Sequence, residues 1–479
     1  ALTAQDVKVS FDLYQTQSNF GLQMYLSGLL KTEVIHPHQV KMTFKQKHQP
    51  DMLSIVVQIP IYSQREWQKR DFKHMSLKPI LGSGPYVVQH VDAGKKLIYR
   101  RNPHYWGKDL WVNQGRYNFN EIHYRYFRSP EMKFEAFKTG RITLFEEKKA
   151  HLWQKNYQFP ALLGGNIRQK KFRHQNVIPT QSFVLNTRRA PFDDIYLRQA
   201  LTYAYDFEWM NRAMFAGQYQ RLNSFFANSE LASKAQPTAA EQAILKPYLA
   251  LLHPVQRELV QRAWQYPIST GDGYNRTNLL TARKILLRQG YSYRNGRLLD
   301  RQAKPVQIEF LVSQSDQQYQ VLAYMRHLKR LGIAASIRMV DTSQYYERLR
   351  SYDFDIVLNQ MPQSLTPGQE QLQLWGSQAA KALGNYNYAG IQNVAIDRVI
   401  DDLLKARNRS EVIAYTRSLD RLLRAGFYHI PTYGTGDYRY AYWNMYQQPR
   451  YIPRYSVALD YWWIDATQAK SLNETLNLQ

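Results

Sequence analysis

Apolar and polar positions alternate most regularly between residues 305 and 360. This pattern predicts, in order, a strand over 306–312, a helix over 321–331, a strand over 333–340, a helix over 343–351 and a strand over 354–358. Strands and helices that alternate at these spacings form right-handed crossovers between parallel strands. The segment therefore predicts an α/β lobe with at least three parallel strands.

Elsewhere the pattern predicts shorter elements. Before residue 180 these are a helix over 3–14 capped by Thr3, strands over 40–44 and 54–57, a hairpin over 86–101, a strand over 122–126 with one buried face, a helix over 130–137 and a strand over 142–145. After it they are a strand over 182–186, a helix capped by Asp193 and Asp194, a helix over 394–425 with a break near Asn408, and a strand-like aromatic tail over 427–465. This mixture predicts an α/β protein with mixed sheets.

Composition is that of a globular protein of about three domains, since 44% of the 479 residues are apolar and 21% are charged. The absence of cysteine excludes disulfides, thiolate metal sites and cysteine nucleophiles. No apolar run approaches the ~18–20 residues that span a bilayer. The 36 tyrosines suggest a cleft that holds a polar ligand.

Motifs for catalysis, metals and nucleotides are missing from the sequence. There is no His-Glu-x-x-His, no phosphate-binding loop, no dinucleotide fingerprint and no Gly-x-Ser-x-Gly. His36 and His38 form the one close histidine pair, which we interpret as a surface turn rather than part of a metal site. Asp353 and Asp355 share a strand face and are interpreted as strand-edge charge rather than a catalytic pair. We therefore predict a protein that is not an enzyme and uses no cofactor or metal.

The net charge of +25 favours an anionic binding partner. Basic residues are concentrated at 168–173, with further pairs at 188–189 and 329–330. A polyanion- or nucleic-acid-binding protein is therefore the alternative hypothesis. No nucleic-acid recognition motif accompanies the charge, so a solvated cationic surface is the interpretation that we favour.

Several motifs resemble those of one family along the whole chain. They are Gly82-Ser83-Gly84-Pro85-Tyr86, Arg101-Asn102-Pro103-His104-Tyr105-Trp106-Gly107, the segment 2–11, the segment 186–201, the segment 362–377 and Leu459-Asp460-Tyr461-Trp462-Trp463. The chain resembles the extracellular solute-binding proteins of family 5, which serve oligopeptide, dipeptide and nickel ABC importers, and within them the YejA-like branch.

The resemblance implies a two-lobed periplasmic-binding-protein fold of the class II type, with mixed sheets and an extra small lobe. Residues 1–78 would be the remainder of the small lobe, 79–190 with 427–479 a discontinuous lobe I, and 191–426 lobe III. Family members extend upstream of this sequence, so we expect the fold to be incomplete at its N-terminus, with strand edges or core faces uncovered unless other polypeptide fills them.

The resemblance also implies a function. A peptide would be held by its main chain in a cleft and enclosed by closure about a hinge at 181–190 and 427–433. The protein would be a periplasmic monomer that delivers the peptide, unaltered, to an inner-membrane ABC permease and binds no nucleic acid.

One position departs from the family pattern. Typical oligopeptide binders place an aspartate, which pairs with the ligand's α-ammonium group, where this sequence has Gln363. A neutral amide cannot neutralise an ammonium ion, so we expect an N-blocked, modified or murein-derived ligand. The predicted ligand-binding residues are Gln363, Ser364, Trp375, Asn385, Tyr386, Tyr433, Trp462, Arg168 and Arg173. Core packing is the alternative for the aromatic residues, and a solvated loop is the alternative for the two arginines.

Overall fold

The computed structural model describes residues 2–18, 22–23, 26–45, 50–72, 74 and 76–476. These residues form two compact units, one made of residues 1–174 with 437–479 and the other of residues 175–436. The chain thus passes from the first unit to the second and returns. The predicted three-part division, with boundaries at 78, 190 and 426, stays a prediction.

The first unit begins with short helices and hairpins. Its elements up to residue 174 are α1 (Ala4–Gln17), β1 (Leu29–His36), β2 (Gln39–Phe44), α2 (Pro50–Gln58), α3 (Gln64–Trp67), β3 (Tyr86–Asp92), β4 (Lys96–Arg101), β5 (Glu121–Arg125), α4 (Pro130–Lys138), β6 (Leu144–Glu146), α5 (Ala150–Lys155), α6 (Pro160–Leu163) and β7 (Ile167–Arg173). The predicted cap of α1 is confirmed, because the Thr3 backbone N–H and hydroxyl both donate to the Asp6 carboxylate, at 2.7 and 2.9 Å.

The second unit contains the predicted α/β segment. Its elements are β8 (Thr180–Leu185), α7 (Ile195–Ala204), α8 (Phe207–Phe215), β9 (Gln220–Arg221), α9 (Ala239–Leu245), α10 (Pro254–Val260), α11 (Arg276–Arg288), β10 (Ser292–Arg294), β11 (Arg297–Leu299), β12 (Gln307–Val312), α12 (Ser315–Arg330), β13 (Ala334–Met339), α13 (Thr342–Ser351), β14 (Ile356–Met361), α14 (Glu370–Trp375), α15 (Ser377–Lys381), α16 (Val394–Leu403), α17 (Arg409–Ala425), β15 (His429–Pro431) and β16 (Tyr433–Gly434).

The C-terminal segment returns to the first unit. It contributes β17 (Asp437–Trp443), β18 (Tyr446–Gln447), β19 (Trp463–Ile464) and α18 (Ala466–Leu476). Strand β17 lies between β6 and β7 and is antiparallel to both, so it joins the two ends of this unit in one sheet. Aromatic side chains fill the adjoining core, including Phe137, Trp153 and Trp443.

A five-stranded mixed sheet organises the second unit, in the order β13-β12-β14-β8-β15. Strand β12 is parallel to β13 and β14, while β8 is antiparallel to β14 and β15. The three parallel strands predicted from the sequence are therefore confirmed. The predicted hinge segments supply β8 and β15, which are neighbours in this sheet. Successive side chains of a strand point to opposite faces of a sheet. Accordingly, Val184 belongs to one hydrophobic cluster and its neighbour Phe183 to another, so both faces of the sheet are packed.

Side-chain caps determine where helices α7 and α17 begin. The Asp194 carboxylate accepts from the backbone N–H of Tyr196 at 2.8 Å, which starts α7 as predicted. Asn408 interrupts the long apolar pattern, and its side chain accepts from the backbone N–H of Glu411 at 3.0 Å. The predicted break therefore separates α16 from α17.

The strand predicted over residues 54–57 is wrong, because this segment is part of helix α2. Its β-branched residues favour a strand, but Met52 and Val56 are buried and Ile59 is partly buried, which is helical spacing. Val57 is 80% exposed on the opposite face. Packing of one helical face therefore decides the structure.

The buried face predicted for the strand over 122–126 is also wrong. Strand β5 forms, but Tyr124 and Tyr126 are more than half exposed. β5 lies at the edge of the three-stranded sheet β3-β4-β5, and the Tyr124 ring packs edge-on against Tyr99 of the neighbouring strand at 5.9 Å. The cross-strand contact thus covers part of the Tyr124 ring, and no buried core covers this face of β5. Among the described residues, the structure contains no helix that is both long and apolar enough to span a membrane.

Candidate functional site

Gln363 lies in the loop that follows β14, at the carboxyl end of the parallel strands. Its Oε1 accepts from Nε2 of Gln371 at 2.7 Å, and Oε1 of Gln371 accepts from the Trp375 indole N–H at 2.9 Å. Gln371 and Trp375 are one turn apart on α14, so the helix places both side chains behind the loop. The Gln363 Nε2 group is buried and has no hydrogen-bond partner among the described residues. The amide of Gln363 is therefore oriented through its oxygen, while its N–H groups have no acceptor among the described residues.

Trp375 is almost completely buried, with 1% of its surface exposed. Its ring packs edge-on against Phe225 at 5.1 Å and His429 at 5.4 Å. The side chain thus lies in the hydrophobic core and anchors Gln371. Its contact with a ligand stays a prediction.

The rest of the loop is held by short polar contacts. The hydroxyl of exposed Ser364 lies 3.1 Å from that of Thr366 and accepts from the Thr366 backbone N–H at 3.0 Å. Arg409 donates to the Leu365 carbonyl at 2.6 Å and pairs with Glu230 at 2.5 Å. Arg409 of α17 therefore holds the loop that carries Gln363 and Ser364 by a hydrogen bond, and Glu230 orients its guanidinium group.

Asn385 and Tyr386 lie on a second loop of the same unit. Asn385 Nδ2 donates to the Ala382 carbonyl at 3.2 Å, and the Asn385 carbonyl accepts from the Tyr352 hydroxyl at 3.2 Å. The Tyr386 side chain is 52% exposed and packs edge-on against Tyr388. Asn385 therefore has structural partners, and Tyr386 is accessible.

Tyr433 is half-buried in an aromatic cluster. Its ring centroid lies 4.4 Å from those of Phe215 and Tyr219. Burial raises the pKa of Tyr433, with Tyr219 adding to the shift, so its hydroxyl stays protonated at neutral pH. It can both donate and accept a hydrogen bond.

The remaining three predicted residues belong to the first unit. Arg168 and Arg173 are exposed on β7, and an Arg173 Nη1 atom lies 3.6 Å from Oδ1 of Asp437. Trp462 is fully buried, packs at 5.1 Å against Tyr442, and donates from its indole N–H to a backbone carbonyl. The structure therefore joins Gln363 to Trp375 through Gln371. The ligand contacts predicted for Arg168, Arg173 and Trp462 stay predictions.

The sequence-based prediction missed two residues, Gln371 within this network and His429 beside it. Gln371 is fully buried and links Gln363 to Trp375; its position four residues before a tryptophan on a helix was the available signal. His429 is buried in β15, with Nδ1 3.0 Å from the Ser182 hydroxyl. Burial lowers the pKa of His429 to about 3, so the ring is neutral at physiological pH. No local sequence pattern marks that pairing, because it joins strands far apart in the chain.

The aspartates interpreted as strand-edge charge are ion-paired. Arg189 contacts Asp353 at 2.6 Å and Asp355 at 3.2 Å, and its hydrogen bond lowers the pKa of Asp353. His36 and His38 lie at the exposed turn between β1 and β2. Within the ranges that the structure describes, no group of three or more histidine or carboxylate side chains is placed to hold a metal ion.

The sequence comparisons identify the family. The sequence profile of the bacterial extracellular solute-binding proteins, family 5 (middle region), matches residues 1–382. The probable peptide-binding protein YejA of Agrobacterium fabrum is 37% identical over 473 residues, which are 96% of this chain and 76% of that protein. This chain belongs to the family 5 solute-binding proteins. The peptidoglycan-binding protein YepA of the same organism is 35% identical over 472 residues, again 96% of this chain and 76% of the relative.

A solved structure agrees with this family assignment. The oligopeptide-binding protein AppA from Bacillus subtilis, in complex with a nonapeptide, has a TM-score of 0.72 at 17% identity and covers 97% of this chain and 84% of its own. The predicted fold class is therefore confirmed: an α/β fold of the family 5 type with mixed sheets. The polyanion-binding alternative finds no support in these comparisons.

Proposed function

We propose that this family 5 protein captures peptides in the periplasm and delivers them to an ABC permease without altering them. The observation that carries the proposal is 37% identity to a probable peptide-binding protein across nearly the whole chain. A nonapeptide bound to AppA, which has the same fold, agrees with it. Main-chain groups recur regularly along any peptide, so a site that holds the main chain can accept many sequences.

The ligand that we propose has a blocked or modified N-terminus, and a murein-derived peptide belongs to this class when its N-terminal amine is still acylated. Gln363 supports this, because a neutral amide fixed by Gln371 offers N–H donors to an acceptor and no charge to an ammonium group. The peptidoglycan-binding relative YepA agrees with a murein-derived cargo. Ser364, Tyr386 and Tyr433 of the same unit are the further contacts that we propose.

Substitution of Gln363 by Asp tests this assignment. Titration calorimetry with one peptide in N-acetylated and free-amine forms should show that Gln363→Asp shifts the affinity ratio at least tenfold toward the free amine, since a carboxylate attracts an ammonium and repels an acyl oxygen. Gln302→Asp, at an exposed position of the same unit, is the matched control and should leave the ratio unchanged.

An unchanged ratio in Gln363→Asp would remove this loop from the binding site. Titration of the wild-type protein would then still show whether the protein binds peptides. Wild type that binds neither form, nor any other peptide tested, would contradict the proposed function as a whole.

A further inference from the structure

Helix α11 presents a cationic and apolar stripe on the surface of the second unit. Its opposite side is buried, since Ala282 and Leu286 are inaccessible and the helix packs against α7. The exposed positions, one or two per turn, are Arg276, Thr277, Leu280, Arg283, Lys284, Leu287 and Arg288. Two leucines that are each nearly half exposed thus lie in a row between basic residues. The exposed face of α11 thus combines basic side chains, which attract anionic lipids, with two leucines that can enter the head-group region of a bilayer.

The surrounding segment carries positive charge without internal compensation. Residues 273–299 include six basic residues and no acidic one. The six are Arg276, Arg283, Lys284, Arg288, Arg294 and Arg297. Within the described part of the chain, none of them forms an ion pair. Their charge is therefore available to a partner.

A pocket of about 500 Å³ opens beside the stripe. Arg276, Arg283 and Arg330 line it together with Tyr274 and Leu280. Asp272 is the carboxylate in the lining, and it accepts from the backbone N–H groups of Tyr274 and Asn275 at 2.7 and 3.2 Å. The pocket therefore keeps an excess of positive charge.

Aromatic rings and main-chain carbonyls orient two of these guanidinium groups. Arg283 lies over the Tyr293 ring at 4.7 Å, and Arg330 lies over the Tyr274 ring at 5.1 Å. Arg330 also donates to the carbonyls of Gly273 and Tyr274 at 2.5 and 3.2 Å. A planar guanidinium held in this way matches the oxygens of a phosphate group.

We propose that this face of the second unit binds an anionic phospholipid surface, with one head-group phosphate in the pocket. The basic residues attract the negative leaflet, and Leu280, Leu287 and the exposed Tyr274 enter the boundary between head groups and acyl chains. An acidic protein surface would satisfy the charges but leave the leucine row without an apolar partner. The combination of both features therefore favours lipid.

Vesicle co-sedimentation tests this proposal. Wild-type protein at physiological salt should bind vesicles of equal phosphatidylglycerol and phosphatidylcholine and not vesicles of phosphatidylcholine alone. Each basic residue at such a surface contributes about fivefold, so the variant with Arg276→Gln, Arg283→Gln and Arg330→Gln should bind roughly 100-fold more weakly.

A matched control separates this face from the total charge. Lys234→Gln, Lys246→Gln and Lys381→Gln together remove the same charge from exposed positions of the same unit that belong neither to α11 nor to the pocket lining. They should change binding less than about fivefold if this face, and not the total charge, contacts the lipid. Leu280→Ser with Leu287→Ser keeps every charge and should weaken binding at least tenfold. Circular dichroism melting verifies that each variant is folded.

Three results of the vesicle experiments would overturn the proposal. They are equal losses in the arginine and lysine triple variants, unchanged binding of the leucine double variant, and wild-type protein that does not distinguish the two kinds of vesicle. Binding to immobilised polyglutamate without binding to vesicles would also overturn it and assign the face to an acidic protein.

Discussion

Individual buried side chains determine the orientation of the Gln363 side-chain amide in the loop after β14. Gln363 is oriented through Gln371 by an indole that is itself locked in the core. A buried donor without a partner is costly, by about 1–3 kcal/mol. The Gln363 Nε2 group is such a donor, and a ligand that supplies an acceptor there would remove this cost.

The resemblance proposed Gln363 as a ligand-binding residue but did not predict its surroundings. Its position was available from a motif that spans neighbouring residues, whereas its orientation depends on Gln371, which approaches from a helix. For Trp375 and Trp462 the pattern could not distinguish core packing from a binding surface, because both uses require a large apolar ring. Contacts between distant segments, such as Ser182 with His429, leave no local pattern.

Titration of His429 should make the stability of the protein depend on pH. Its pKa is about 3 in the folded protein and about 6.5 when unfolded, so the unfolded chain binds more protons between these values. Its contribution is complete above pH 6.5 and is lost as the pH falls toward 3. Between pH 7 and 5, the free energy of unfolding should fall by roughly 2 kcal/mol on account of this residue.

Denaturant unfolding of wild type and His429→Gln at both pH values measures this difference. The variant lacks the titrating group, so its loss between pH 7 and 5 should be smaller than that of wild type. His253 and His327, whose pKa values are also lowered by burial, remain in both proteins and cancel in the comparison. Equal losses in the two proteins would show that His429 is not held neutral.

At the scale of elements, helix α17 holds an irregular segment through one carboxylate. Asp420 is fully buried and accepts from the backbone N–H groups of Phe225 and Ser233, at 2.9 and 3.0 Å, and from the Ser233 hydroxyl at 2.5 Å. These bonds replace the regular partners that residues 224–233 lack. The helix therefore determines the path of that segment.

Substitution of Asp420 by Ala should destabilise the second unit by about 3 kcal/mol, because two buried backbone donors lose their acceptor. Asp401→Ala, at a half-exposed position of α16, should stay within about 0.5 kcal/mol of wild type. Thermal and denaturant unfolding measure both variants. Similar small effects in the two would contradict the structural role assigned to Asp420.

Helices and strands with a regular repeat of apolar residues were predictable from the sequence. Elements whose conformation depends on packing against neighbouring elements were not. The strands and helices of the α/β segment, the cap at Asp194 and the helix break near Asn408 were predicted, because alternation, capping and interruptions of a period are local. Helix α2 was mistaken for a strand, since its β-branched run gave a local preference that burial of one helical face overrides. The exposed face of β5 reflects its place at a sheet edge, which the strand itself does not encode.

For the whole molecule, family membership unites the fold, the missing catalytic motifs and the network around Gln363 in one account. A binding protein needs an adaptable main-chain site and no nucleophile, and Asp353 and Asp355 are both ion-paired with Arg189. The central claim of this account is that the protein binds peptides and releases them unaltered.

Native mass spectrometry of the protein produced in a bacterial periplasm tests that claim most directly. The account predicts a non-covalent complex whose added mass is recovered, after denaturation, as intact peptide with a blocked or modified N-terminus. Free-amine peptides alone would contradict the ligand class. Protein that carries no peptide and acquires none from peptide mixtures, or that releases only cleaved fragments, would contradict the central claim.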